Sequence, residues 1–245
     1  MTSSANRRVA LVTGASRGLG AVLADLLAGE GFDLVLDARD PGELESFSRR
    51  LDHWQRAVRS VPGDVTDPDH RAELRRMVDG FGHLDLLVNN ASDLGFTPLV
   101  PLLDHPLPDF RRVLETNLIA PWALIRDLRV ALARSNGLVV NISSDAAIGG
   151  YPGWGAYGAS KAALDLVTRT LGAELQGSGI SVVSVDPGDM RTRMHQSAYS
   201  GQDISDRPQP EATLPFWAWL LSRPAGPLSG RRFQAQSERW EELVA

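Results

Sequence analysis

Short, mostly apolar runs alternate with longer amphipathic stretches along almost the whole 245-residue chain. The runs at residues 9–12, 32–36, 57–61, 84–88, 138–142 and 180–185 are four to six residues long and bounded by turn residues. That is the pattern of strands buried on both faces of a parallel sheet. Between them, helices are predicted over 21–28, stopped by Gly29 or Gly31, and over 41–53 with Pro41 in the first turn. A third, to about residue 79, starts from Asp67 as N-cap with Pro68 behind it. A long helix over 107–133 is expected to bend near Pro121. The next runs from Tyr157 to about Gln176, with Leu164, Val167, Leu171 and Leu175 marking its buried face by 3-4-4 spacing. A short helix over 215–221, a last strand over 232–235 and a tail over 238–245 complete the chain. Strict alternation without repeats predicts an α/β fold: a doubly wound parallel sheet formed by residues 1–245 as one domain.

The polar clusters are not scattered over this pattern. Thr13 to Gly20, Asp37 to Arg39, Asp64-Val65, Asn89 to Ser92, Ser143-Ser144 and Pro187-Gly188 each follow a predicted strand. Ligands of open α/β sheets bind at those carboxyl ends, so the clusters should converge in one cleft. The first of them, Gly14-x-x-x-Gly18-x-Gly20, lies between a strand and a helix. Glycines there permit a tight turn and close backbone approach, and a helix N-terminus offers N–H donors to a phosphate. This predicts a dinucleotide site of the Rossmann type.

Composition narrows the classes. Net charge is −5, with no basic stripe, which argues against nucleic acid as a partner. Without cysteine, thiol catalysis and cysteine metal sites are excluded, and no metal is expected. The basic start, residues 1–8, precedes an apolar run too short for a signal peptide or membrane span, so a cytoplasmic protein without membrane partners is the default expectation. Of 25 basic residues only one is a lysine, Lys161, four residues after Tyr157. On a helix those positions share a face. An ammonium there is expected to lower the tyrosine pKa toward working pH, making a general acid or base. Residues 189–212 break the alternation with a long polar segment, a candidate substrate lid.

Together these motifs resemble the short-chain dehydrogenase/reductases, in their short single-domain branch, over about residues 7–195. The resemblance implies a catalytic tetrad of Asn117, Ser144, Tyr157 and Lys161, with Ser144 preferred to Ser143 because it lies thirteen residues before Tyr157. It implies that Tyr157 exchanges the proton, Lys161 lowers its pKa and holds the nicotinamide ribose, Ser144 binds the substrate oxygen, and Asn117 holds a relaying water. Coenzyme contacts are expected from Gly14, Ser16, Arg17, Gly18, Leu19, Gly20, Ala38, Arg39, Asp64, Val65, Asn90, Ala91, Tyr157, Lys161, Pro187, Gly188 and Thr192. Ala38 stands where NAD-preferring relatives carry an acid, and Arg39 with Arg17 suits a 2′-phosphate, so NADP(H) is expected, although Asp37 could reach the ribose. The chain departs from the family at Ser92, usually glycine, and at Val183, often asparagine. Substrate contacts are expected from Leu94, Phe96, Ala146, Tyr151, Trp154, Met190 and Met194, with Trp217 as a further candidate. The implied activity is a ketoreductase acting on a hydrophobic carbonyl or alcohol, in a homodimer or homotetramer. An NAD-dependent alcohol dehydrogenase and a non-catalytic NADP-sensing regulator are the alternatives.

Overall fold

The computed structural model describes residues 7–240. The first six residues and the end of the expected tail, 241–245, lie outside it. Among the described residues seven parallel strands form one sheet in the order β3-β2-β1-β4-β5-β6-β7. They are β1 Val9–Val12, β2 Asp33–Ala38, β3 Val58–Pro62, β4 Leu86–Asn89, β5 Leu138–Ile142, β6 Ser181–Asp186 and β7 Arg232–Gln234. The order reverses between β1 and β4, which opens a crevice at their carboxyl ends. The central strands β1, β2, β4, β5 and β6 are buried throughout, as their apolar runs predict.

Helices cover both faces. On one face α1 (Gly18–Gly29), α2 (Pro41–Arg50) and α8 (Leu214–Leu221) pack against alternate residues such as Ala10, Val12, Leu34 and Val140. On the other, α3 (Pro68–Asp79) and α5 (Ala120–Ser135) meet Val9, Leu11, Val35 and Val139. Capping follows the sequence: Asp40 accepts from Glu43 N–H at 2.9 Å and Asp67 from Asp69 N–H at 2.9 Å, each with proline in the first turn. Such caps contribute about 1 kcal/mol each.

Two expectations change. The long helix is not regular up to Pro121. Its register shifts earlier, where α4 (Leu107–Leu114) passes through a π-helical turn, Glu115–Ile119, into α5. Pro121 has no N–H for the carbonyl of Asn117, four residues back, so an ordinary helical bond is impossible there. On α6 (Gly155–Glu174) the buried stripe runs through Tyr157, Lys161, Leu164, Asp165, Thr168 and Gly172, while Val167 and Leu171 are only half-buried. The helix turns its polar side inward because a buried ladder receives it: Asn89 donates to Asn141, and Asn141 to Thr168.

Candidate active site

A cleft of about 1410 Å³ opens along the carboxyl ends of the strands. One end is built by the glycine-rich turn. Thr13 fastens it: its hydroxyl accepts from the N–H groups of Asn90 and Ala91 at 3.0 Å, and the Asn90 amide donates to the carbonyls of Thr13 and Gly14. Gly20 lies beneath the turn rather than on the cleft wall, and a side chain there would collide with the Gly14 carbonyl. No side chain caps the start of α1, so its first N–H groups remain available to an anion. Gly14, Ser16, Arg17, Gly18, Leu19, Ala38, Arg39, Asp64, Val65, Asn90, Ala91, Pro187, Gly188 and Thr192 all line this cleft. A dinucleotide therefore fits the donors and the glycine cradle.

Asp37 also borders the cleft. Its carboxylate is buried, 2.7 Å from His70 Nε2, and accepts from Gly14 N–H. Burial pushes its pKa up, and the bonds from His70 and Gly14 oppose the shift. Asp37 thus ties the turn to α3. Asp64 also works locally, accepting from the Thr66 N–H and hydroxyl. Burial opposes its ionisation, but those bonds and nearby Arg39 hold its pKa below the usual value. Arg17 is engaged by Glu43 at 3.0 Å, and the same carboxylate takes Arg193 at 3.0 Å.

The other end gathers the tetrad residues. Tyr157 and Lys161 rise from α6, and Lys161 Nζ donates to the Ile142 carbonyl at 2.7 Å. The lysine is 1% exposed, yet it borders the cleft. Burial lowers its pKa to about 8, against the pull of Asp165. Tyr157, Ser144 and Ser92 all line this end of the cleft, and the two serine hydroxyls act to lower the pKa of the phenol. Its pKa is raised, contrary to the expectation from the Tyr-x-x-x-Lys spacing. Burial outweighs the two hydroxyls, Asp186 and Asp145 add repulsion, and the Lys161 amine lies 5.4 Å from the ring centre without bonding the phenol. Ser144 accepts from Ala146 N–H at 3.1 Å and donates to Asp145 at 2.9 Å, whereas the Ser143 hydroxyl is buried without a hydrogen-bond partner among the described residues.

Asn117 stands behind the cleft wall, fully buried in the π-turn. Its amide donates to Ser160 at 3.0 Å and to the Asp93 carbonyl at 2.8 Å, and its oxygen accepts from Asp93 N–H at 2.8 Å and Ser92 Oγ at 3.2 Å. This side chain is occupied in holding the loop after β4 and Ser160. Ser92 lines the cleft and donates to Asn117 Oδ1. Val183 is packed in the core.

Leu94, Ala146, Tyr151, Trp154, Met190 and Met194 line the cleft beside Tyr157. Phe96 does not; it is an exposed residue of the neighbouring loop. Trp217 is also away from it, on the buried face of α8, where it donates to Thr213. Several cleft residues escape sequence reasoning: Glu43, Asp145, Asp189, His195 and Tyr199. The segment after Gly188 is more structured than a polar loop suggests. It carries α7 (Arg193–Ala198), capped by Thr192. Arg232 is equally unannounced. From β7 it binds Asp165, Asp186 and the Ser144 carbonyl, so it fixes the backbone of the serine. Only Asp165, one turn beyond Lys161 on the buried stripe, hints at such a partner.

Comparison with known proteins agrees with this geometry. The sequence profile described as short chain dehydrogenase matches residues 8–203. Serine 3-dehydrogenase of Rhizobium radiobacter is 33% identical over 80% of this chain and 78% of its own length. An uncharacterized NAD-dependent oxidoreductase of Mycobacterium tuberculosis is 36% identical over 98% of this chain and 89% of its own. A short chain dehydrogenase of Shigella flexneri, solved in complex with NADP, superposes with a TM-score of 0.87 at 28% identity, covering 95% of this chain and 98% of that one.

Proposed function

The chain belongs to the short chain dehydrogenase family of oxidoreductases, and we propose that it is an NADP(H)-dependent ketoreductase with Tyr157 as its general acid and base. The observation that carries this reading is the meeting of Tyr157, Ser144 and Lys161 at the end of a glycine-built dinucleotide cleft. The nicotinamide supplies or receives the hydride. The chain's own part is to place and protonate the oxygen. Ser144 donates to the substrate oxygen, a role that requires its hydroxyl to turn from Asp145. The neutral phenol of Tyr157 gives its proton to the forming alkoxide. Its raised pKa keeps that proton in place at neutral pH, which suits reduction. Lys161, still mostly charged at pH 7, bears on the phenol and is placed to hold the ribose hydroxyls.

Arg17 and Arg39 support the choice of NADP(H), because both line the cleft while Asp37 is bound to His70. One observation favours NAD(H) instead: Glu43 sits on Arg17, where it would oppose a 2′-phosphate. The relative from Mycobacterium tuberculosis, named NAD-dependent, points the same way. Residues 189–212 act as a lid in this reading, latched over the cleft by Arg193 and Glu43. The substrate end is apolar at Leu94, Trp154, Met190 and Met194 but rimmed by Asp145 and His195, which suits a ketone with an apolar body and a polar edge. A panel of ketones assayed with NADPH and with NADH tests this directly. Higher kcat/KM with NADPH is expected, and a preference for NADH would refute the coenzyme assignment. Tyr157→Phe should bind coenzyme normally and lose at least about a hundredfold in kcat, as expected for loss of general acid–base catalysis.

A further inference from the structure

Lys161 and Asp165 lie one turn apart on the buried stripe of α6, so their side chains share a face. A lysine and a carboxylate in that relation are natural partners, yet each is held elsewhere. Lys161 Nζ donates to the Ile142 carbonyl at 2.7 Å, and Asp165 Oδ2 accepts from Arg232 Nε at 3.0 Å. Arg232 also reaches the serine. Its Nη2 donates to the Ser144 carbonyl at 2.9 Å and to Asp186 Oδ2 at 3.0 Å. We propose that Arg232 is a positioning residue for two members of the tetrad at once: it keeps Asp165 from capturing Lys161, and it anchors Ser144 at the cleft.

The first half follows from what Asp165 lacks. Its Oδ1 is buried without a hydrogen-bond partner among the described residues, and the whole residue is 7% exposed. A buried carboxylate in that state is costly and attracts any cation within reach. Two basic residues of α6 lie one turn from it. Arg169 is exposed, whereas Lys161 is 1% exposed. Burial lowers the lysine pKa, and Asp165 is the group that pulls it back up. Without the guanidinium, Lys161 is the buried cation left to answer Asp165. It would then give up the Ile142 carbonyl and its place at the edge of the cleft.

The second half follows from topology. The Ser144 carbonyl accepts from Ala147 N–H at 3.1 Å within its own turn. The bond from Arg232 ties that turn to β7, two strands away across the sheet. Asp186, on the strand between, braces the guanidinium with Oδ2 while Oδ1 accepts from Gly188 N–H at 3.0 Å. Serving three acceptors from two nitrogens of one rigid plane suits arginine; a lysine offers a single nitrogen on a flexible stem.

This inference rests on the roles given to Lys161 and Ser144 above. The test compares Arg232→Lys, Arg232→Met and Arg232→Met combined with Asp165→Asn. Binding of NADPH (or of NADH, if the coenzyme panel favours it) is followed by coenzyme fluorescence. Turnover is followed by reduction of acetophenone or of a faster ketone from the panel. Arg232→Lys keeps a charge beside Asp165 but loses the anchor on Ser144. Its coenzyme affinity should stay within about twofold while kcat falls by about tenfold, the effect of a misplaced reacting group. Arg232→Met also frees Asp165, so coenzyme affinity should fall by about tenfold as well, as for loss of a charged hydrogen bond. Adding Asp165→Asn should bring affinity back to within about twofold of native and leave kcat low. Circular dichroism establishes that each variant is folded; should Arg232→Met not fold, Arg232→Gln, neutral but polar, replaces it throughout. Native kcat in Arg232→Lys, or full recovery of kcat on adding Asp165→Asn, would overturn the anchoring of Ser144. Unchanged coenzyme affinity in Arg232→Met, or affinity that Asp165→Asn does not restore, would overturn the protection of Lys161. Activity surviving in Tyr157→Phe, or native coenzyme affinity in Lys161→Met, would instead overturn the reading of the tetrad on which the inference rests.

Discussion

Lys161 carries a conflict between stability and function. An ammonium 1% exposed, with one carbonyl as its bonded partner, is costly to bury. Its pKa falls from 10.5 to about 8, a difference worth roughly 3 kcal/mol. The sign follows from linkage: the unfolded chain binds the proton more tightly, so the penalty is complete below pH 8 and disappears as pH rises toward 10.5. Lys161→Met should therefore melt at least as high as the native protein at pH 7, and the gap should narrow between pH 8 and 10.5. Turnover should be lost throughout. Melting curves over that pH range check it, and a Met variant that unfolds more readily at neutral pH would show that Lys161 stabilises the fold. The lone lysine among arginines singles out Lys161 in the sequence alone, and the fold buries it at the edge of the cleft. The direction of the Tyr157 shift is not, because spacing reports which side chains are neighbours and says nothing of how far each is removed from water.

At the scale of elements, the site depends on how closely α6 approaches the turn that carries Ser144. Gly158 permits that approach: a Cβ there would lie 2.6 Å from the Ala146 carbonyl oxygen. Gly158→Ala must push the helix and the turn apart and move Tyr157 away from Ser144. The fold should survive with a cost of about 1–3 kcal/mol, the usual range for overpacking. Thermal melts should show that modest loss while kcat falls by on the order of tenfold or more, because misplacement by an ångström is severe at a reacting centre. Full activity would mean that the site tolerates the displacement. Strands of this kind are easy to read, since a buried parallel strand needs a short apolar run and little else. The π-turn at Glu115–Ile119 is hidden, because one extra residue in a helix leaves composition and periodicity almost unchanged. Pro121 signals an irregularity, but four residues after the carbonyl it deprives. Arg232, arriving from β7 to hold Ser144, is hidden for another reason: nothing local marks a pairing across 88 residues.

For the whole molecule, the unanswered question is what covers the outer side of α4, α5 and α6. The sheet faces are closed by two continuous cores, yet Val130 and Leu166 are each 57% exposed. Ile119 at the end of the π-turn and Trp122 on α5 are exposed on the same side as Val130, as are Leu103 before α4 and Leu107 at its start. Scattered apolar residues are ordinary on a surface, but a row along adjacent helices is what a contact between chains would bury. These helices hold Asn117 and Tyr157 on their inner sides. A twofold contact would brace them from outside and explain why polar residues can face inward on α6 without loosening the site. Light scattering should give a dimer or tetramer for the native chain. Leu166→Arg combined with Val130→Arg should shift it to the monomer, because two charges on each side cannot be buried unpaired. The monomer should keep its secondary structure by circular dichroism and lose thermal stability and kcat together. A native monomer, or an oligomer indifferent to both arginines, would show that this face is left to water.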